Sequence, residues 1–455
     1  MSAPTMPVPG HVVEQAARFA QDFRAREIAP PLLHHAKRAL VDWHAAVLPG
    51  AVLPPATLLE RALGDELGHG AARLALGQRA TARAAALING TAAHTAEVDD
   101  IDREAIYHPG APTIAAALAL AQARGLAGPA LLRAVIVGYE ISTRIGATMG
   151  RAHYAFWHST GTIGCFGAAA AAAEVLELDA TRFAHALATA ATCAAGLQQA
   201  FRSDSMSKPL HAGRAAEAGV TAALAAAAGV TGALDVLEGD DGFGHAMGES
   251  PDWSRCMATL GREFHITGMT FKNHACCGHT FAAIDGALAL RSHMAANVAD
   301  IASVHIDTYA EALHVAGHAS PHTPAEARFS LPYVVATALQ HGQVRLAAFA
   351  PDRLADRHTR ELMARITLGV DPELDAAFPG RRAARVSITL RDGRSQTVLQ
   401  PTRKGDPDAP LSDAELDDKF LELAGPIVGD LSAYALLTRL WRTESLSELG
   451  GLAHT

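Results

Sequence analysis

Five carboxylates fall within eight residues, at Glu97, Asp99, Asp100, Asp102 and Glu104, and the run closes on His108-Pro109-Gly110. Packing alone gives no reason for such a density in a chain otherwise rich in Ala and Leu. Proline at 109 disfavours helical backbone at the residue before it, so His108 is expected on a turn just ahead of a helix beginning near Ala111. The start of a helix favours neutral imidazole and bound anions. Carboxylates and a histidine so placed read as one wall of a catalytic pocket, against the plainer reading of a solvated acidic loop with a capping histidine.

Four further segments carry side chains suited to the same chemistry. In Tyr154–Gly164, His158 stands before Gly161, Gly164 and Gly167, which allow close backbone approach, and Ser159 or Thr160 can cap the helix that follows. In Arg202–Arg214, a hydroxyl-rich loop presents Ser207 and Lys208 just before Pro209, where hydroxyls and backbone N–H groups can hold a carboxylate. In Phe271–Thr280, Lys272 is one of five lysines in the chain, with Lys37, Lys208, Lys404 and Lys419, and stands at a domain junction where ligand sites concentrate. In Glu326–Tyr333, Arg328 can fork onto a carboxylate and Tyr333 opens a helix with its hydroxyl at the surface. Taken singly, each has a bland reading as a packing histidine, a helix-entry loop, a solvated cation or a half-buried tyrosine.

The elements that must position these residues are mostly helices. Ala and Leu recur at helical spacing over Val12–Arg24, Pro31–Val47, Ala84–His94, Ala111–Arg124, Pro129–Met149 and Gly161–Leu176. The many Ala and Gly residues imply thin interfaces between close helices. After about Thr267 the character changes. Strands are expected at Ala302–Tyr309, Arg365–Val370, Arg385–Leu390 and Gln396–Gln400, the last two joined by a hairpin around Asp392-Gly393, with helices at Ala282–Met294 and Leu331–Gln340. Pro401–Pro410 reads as a connector, and Ser412-Asp413-Ala414-Glu415 has the spacing of a capping box that starts another helix. At 455 residues the chain exceeds one compact core. The expected organisation is residues 1–266 as an all-α domain, 267–401 as an α+β domain, and 402–455 as helices rejoining the first.

Composition removes several function classes. A net charge of −9 lacks the positive field that nucleic acid or an anionic membrane would need. The apolar runs, such as Ile163–Ala173, are too short to span a bilayer, and Met1–Val12 lacks the pattern of a secretory signal. Five cysteines, two of them adjacent (Cys276 and Cys277), do not form zinc-type pairs and suit a reducing cytoplasm.

Taken together and in order, these segments resemble the MmgE/PrpD family of 2-methylcitrate dehydratase, cis-aconitate decarboxylase and iminodisuccinate epimerase. The resemblance runs through His94, Glu97-Val98-Asp99-Asp100 and His108-Pro109-Gly110; His158-Ser159-Thr160-Gly161-Thr162; Met206-Ser207-Lys208-Pro209-Leu210-His211-Ala212-Gly213; Thr231-Gly232 and Glu238-Gly239 with Gly242-Phe243; Lys272 with Cys277; and Arg328 to Tyr333. It covers residues 12 to about 440. It implies a mainly α protein, with a large helical domain built from both chain ends and an inserted α+β lid, a homodimer, and catalysis without metal or organic cofactor. Carried over residue by residue, it implies His158, Lys272, His108 and Tyr333 as catalytic groups, and Lys208, Glu97, Asp99, Ser207 and Arg328 as substrate-binding ones. Some positions depart from the family pattern. Glu97 stands where Asp is usual, Ile101 where the decarboxylase has threonine, Cys277 where it has histidine, Asn273-His274-Ala275 where an aromatic-Pro follows the lysine, and Phe281 where histidine is common.

The residue types fit the chemistry that the resemblance implies. Removing a proton alpha to a carboxylate builds charge on that carboxylate, and fixed cations or hydrogen-bond donors make this tolerable. A histidine can take the proton near neutral pH, with His158 the first choice. The expected activity is dehydration of a small 2-hydroxy di- or tricarboxylate. Epimerisation or decarboxylation would follow if the second group returned a proton to the opposite face, or if CO2 left instead. A magnesium-dependent isoprenoid synthase is disfavoured, because a third carboxylate is needed where Arg103 stands and aromatic content is 5%. A helical scaffold protein is the non-enzymatic alternative, and Lys208 with Lys272 argues against it.

Overall fold

The computed structural model describes residues 10–201, 205–249, 251–294 and 297–453. Arg202-Ser203-Asp204, from the hydroxyl-rich loop, and the residues before Gly10 lie outside the described residues. The chain divides into two compact units, one of Met1–Thr270 with Asp413–Thr455 and one of Phe271–Ser412. The protein is mainly α, with one small sheet in the second unit.

Unit 1 is helical where Ala and Leu recur at helical spacing, and the helix expected over Gly161–Leu176 is interrupted at Ile163. The helices that matter here are α1 (Val12–Arg24), α2 (Pro30–Ala51), α3 (Ala82–Thr95), α4 (Gly110–Ala123), α5 (Gly128–Tyr154), α6 (Ser159–Thr162), α7 (Gly164–Val175), α8 (Ala180–Ala191) and α9 (Ser207–Ala227). Helices α4 and α7 are buried all round, which their unbroken Ala, Leu and Gly composition permits. Helix α9 packs on both α3 and α7. At the α3–α9 crossing Gly90 and Gly213 face each other, and a Cβ on Gly213 would overlap the Leu87 carbonyl and the Thr91 hydroxyl. That approach sets the last turn of α3, with His94, beside the first turn of α9, with Lys208 and His211.

Unit 2 holds α10 (Phe281–His293), β1 (Ile301–Thr308), α11 (Leu331–His341), β2 (Ile366–Val370), β3 (Ala384–Leu390) and β4 (Ser395–Gln400). The strand order is β2-β1-β3-β4, with β1 parallel to β2 and antiparallel to β3. Strand β3 alternates buried and half-buried residues, and Gly393 turns the hairpin to β4 with φ +88°. Helix α10 covers β3 and β4, and α11 covers α10.

The unit boundaries differ from the expected 267 and 401. The connector belongs to unit 2 because its backbone is tied back there. Phe271 N–H donates to the Gly405 carbonyl at 3.0 Å, Lys404 N–H to Asp285 at 2.7 Å, and the Arg403 guanidinium to the Gly278 carbonyl at 3.0 Å. A charged, Pro-containing stretch thus folds as a structured strap. Helices α12 (Asp413–Val428) and α13 (Asp430–Trp441) return to unit 1, with α12 against α2. Among the described residues no helix is long and apolar enough to cross a membrane.

Candidate active site

The acidic stretch folds into a tight, unusual backbone. Glu97 and Ile106 both take left-handed φ, +60° and +48°, a region costly for side chains with a Cβ. Asp102 and Tyr107 pair across a short bridge, and the Asp102 carboxylate accepts from the Glu104 and Ala105 N–H groups. Asp100 accepts from the Tyr139 hydroxyl at 2.7 Å and from Gly110 N–H at 3.0 Å, anchoring the stretch to α5 and to the start of α4. Burial pushes the Asp100 carboxyl well above the usual carboxylate range, and Asp42 adds to this.

Within this frame histidines gather around one carboxylate. Asp99 Oδ2 lies 2.6 Å from His94 Nδ1 and 3.3 Å from His108 Nδ1. Burial alone would raise Asp99, but the two imidazoles hold it well below the carboxylate range. Burial pushes His94 down to about 4 against the opposing pull of Asp99, with Lys208 and His108 lowering it further. The pair is therefore ionised aspartate and neutral imidazole, with the Nδ1 proton directed at Asp99. His94 Nε2 is left buried without a hydrogen-bond partner among the described residues. A carboxylate that fixes the tautomer and leaves the far nitrogen basic is the arrangement used to orient a general base.

His158 extends this group. Its ring stacks on that of His94 with centroids 5.3 Å apart, and its Nδ1 shares a proton with His211 Nδ1 at 3.0 Å. Burial, followed by the neighbouring His94 and Lys208, pushes His158 well below the usual imidazole range. The His158 N–H donates to the Gly196 carbonyl at the entry to α6, and His108 N–H reaches Thr160 Oγ1 at 3.3 Å, which ties the two histidine turns together. Lys208, in the first turn of α9, forms an ion pair with Glu97. Both side chains are partly exposed, at 19% and 17%, so this pair is the solvent-facing edge of the group.

His94, Asp99 and His108 also present ligand-type atoms within 4.8 Å of one another. Two ligands of one tetrahedral ion with bonds of about 2.0–2.1 Å lie roughly 3.3 Å apart. The 2.6 Å between His94 and Asp99 is instead the distance of a shared proton.

Of the expected residues, unit 1 brings together Glu97, Asp99, His108, His158 and Lys208. Ser207 is exposed at the start of α9, and its N–H turns to Ser205 Oγ at 3.4 Å. Asp99 was expected to bind substrate, but it is 1% exposed and faces histidines, so its contacts are internal. In unit 2, Lys272 is buried, and Arg328 is half-buried with its guanidinium 5.4 Å from the Phe349 ring. Tyr333 was expected to act as an acid or base. It is fully buried in α11 and its hydroxyl donates to the Ala348 carbonyl at 2.6 Å, which makes it a core residue with its proton engaged.

Sequence reasoning gave no role to His94 or His211. Each had a signal: His94 lies in the last turn of an Ala-rich helix five residues before Asp99, and His211 lies three residues after Lys208 on one helix face.

Both halves of the chain match known families. The MmgE/PrpD N-terminal domain matches residues 14–256 and the MmgE/PrpD C-terminal domain residues 274–442. The chain is 27% identical over 445 residues to a cis-aconitate decarboxylase-like protein of Aspergillus oryzae, covering 92% of each chain. It is 28% identical over 379 residues to human cis-aconitate decarboxylase, covering 80% of this chain and 77% of that one. It is 25% identical over 446 residues to cis-aconitate decarboxylase of Aspergillus terreus, covering 92% and 90%.

Proposed function

The chain belongs to the MmgE/PrpD family, and from that premise we propose that it is a lyase acting on a small di- or tricarboxylate, with proton transfer at the carbon alpha to a carboxylate as its chemical step. The observation that carries this reading is the buried His94–Asp99 pair, which leaves His94 Nε2 unprotonated beside the stacked ring of His158.

In this reading His94 or the stacked His158 takes the proton. Both are kept neutral by burial, so each has a ring nitrogen unprotonated before the substrate arrives. Lys208 meets a substrate carboxylate and offsets the charge that grows on it during deprotonation. Glu97 holds the lysine and is displaced or shared when the substrate arrives. His108, whose Nδ1 lies 3.3 Å from Asp99 Oδ2, gives a proton to the leaving group from its imidazolium form and is left as neutral imidazole. Lys272 and Arg328 are the unit 2 candidates for binding carboxylate, and no step is assigned to Tyr333. Every step uses the chain's own groups, so activity should persist after treatment with a chelator. Loss of turnover under chelation would overturn this part.

Dehydration of a 2-hydroxy di- or tricarboxylate is the first reading. Decarboxylation of a cis-aconitate-type unsaturated tricarboxylate is the second, favoured by the names of relatives similar over 80–92% of this chain. In decarboxylation, the same histidines would protonate the carbanion left by CO2. One experiment separates the two. The purified protein is incubated in D2O with a hydroxy-tricarboxylate and, separately, with cis-aconitate, and NMR follows product and deuterium while CO2 is trapped. An unsaturated acid formed from the hydroxy acid supports dehydration. CO2 release from cis-aconitate replaces it with decarboxylation. Neither turnover nor deuterium exchange on any such acid would sink both readings.

A further inference from the structure

The backbone that carries Glu97 and Asp99 is gripped by a lysine from the far end of the chain. Lys419, on α12, is 1% exposed, as is its partner Asp42 on α2. The Lys419 ammonium donates to Asp42 Oδ1 at 2.5 Å and to the Val98 carbonyl at 2.7 Å. Val98 is the residue between the one that pairs with Lys208 and the one that orients His94.

Three observations make this contact more than packing. Glu97 holds a left-handed φ of +60°, and such backbone persists only where surrounding groups over-determine it. The neighbouring peptide is fixed from the other side, because Asp100 is tied to Tyr139 and Gly110. An ammonium can also bond a carboxylate and a carbonyl at once, which no apolar side chain of the same length can do. Buried ion pairs add little to stability compared with apolar replacements of similar volume, so stability alone gives weak reason for a charged lysine here.

We propose that Lys419, held by Asp42, is a positioning residue of the candidate site. It fixes the Val98 carbonyl so that Asp99 presents its oxygen to His94 Nδ1 and Glu97 presents its carboxylate to Lys208. The inference rests on the reading of His94–Asp99 as base and orienting carboxylate.

The decisive variant is the double substitution Asp42→Leu/Lys419→Met, which removes both charges while keeping the volume filled. Lys419→Met alone leaves Asp42 buried without its counter-ion and is expected to lower the melting temperature, whereas the double variant is expected to regain it. With the fold so matched, kcat should fall about 10²-fold, as for a displacement near 1 Å in the catalytic groups, with KM changed less than about threefold. Histidine-selective 15N NMR, with His94 assigned by comparison with His94→Gln, should show that His94 loses its Nδ1–H preference. A double variant with wild-type stability, kcat and His94 tautomer overturns the proposal and leaves the pair a structural one. If the double variant does not fold, Asp42→Asn takes its place, with smaller changes in the same two readouts expected and no change in either counting against the proposal. If the wild-type protein turns over no carboxylate at all, the proposed reaction fails, and the tautomer measurement still decides the role of Lys419.

Discussion

Among the described residues each unit buries one short histidine–carboxylate pair, and the two pairs do different work. In unit 1 His94 meets Asp99 at 2.6 Å through Nδ1, and in unit 2 His274 meets Asp285 at 2.8 Å through Nε2. Asp99 gathers a second histidine, His108, while His158 stacks on His94. Asp285 spends its other oxygen on Lys404 N–H, and its histidine packs edge-on against Phe281. One carboxylate serves imidazoles, and the other stitches a loop to a helix. Pair chemistry alone therefore does not mark a reactive site; the groups that surround the carboxylate do.

The contrast can be broken at four points. Asp99→Asn should have the largest effect. It frees the His94 tautomer, and kcat is expected to fall about 10³- to 10⁴-fold with the fold retained by circular dichroism. A loss below tenfold would put Asp99 in the same class as Asp285.

The pH dependence of stability comes next. The folded His94 value of about 4 lies below the unfolded 6.5, so between those pH values the unfolded chain takes up a proton that the folded chain refuses. This contribution is complete above pH 6.5 and is lost on the way down to pH 4, about 3 kcal/mol in all. In His94→Gln, the loss of unfolding free energy between pH 6.5 and pH 4, followed by urea unfolding, should be smaller by this amount. An unchanged slope would mean that His94 is not held neutral.

Lys208→Ala should lower kcat/KM about 10²-fold by removing the cation facing the substrate carboxylate. An effect confined to melting temperature would make the Glu97–Lys208 pair structural. Asp285→Asn should have the smallest effect on catalysis, less than about tenfold in kcat, with a loss of roughly 1–3 kcal/mol in stability from the weakened strap contacts. A loss in kcat equal to that of Asp99→Asn would erase the comparison altogether.

Much of the fold is legible in local sequence. The helix expected at Val12–Arg24 spans the same residues in the structure, and the Asp392-Gly393 turn joins the expected strands, because periodicity and turn chemistry act over a few residues. The gathering of Glu97, Asp99, His108, His158 and Lys208 followed from motif order together with the family resemblance. Directions within the site were not legible. Spacing gave no sign that Asp99 would turn inward to two histidines, or that the Tyr333 hydroxyl would be engaged by Ala348, because both depend on tertiary packing. Unit 2 runs past residue 401 because the charged, Pro-containing stretch, which by composition reads as a linker, is hydrogen-bonded to Gly278 and Asp285. Lys419 carried no local signal, since its partner Asp42 lies 377 residues away in sequence.

That separation also orders the protein's birth. At roughly 5 to 20 residues per second of synthesis, Asp42 leaves the ribosome about 20 to 75 s before Lys419 does, and all of unit 2 is made in between. During that interval the nascent chain holds a buried-to-be aspartate without its counter-ion and a reactive wall without its clasp. On the role proposed for Lys419, the last helices complete the candidate site. A chain that stalls in unit 2 has every residue of the histidine cluster but lacks Lys419, the residue proposed to set it.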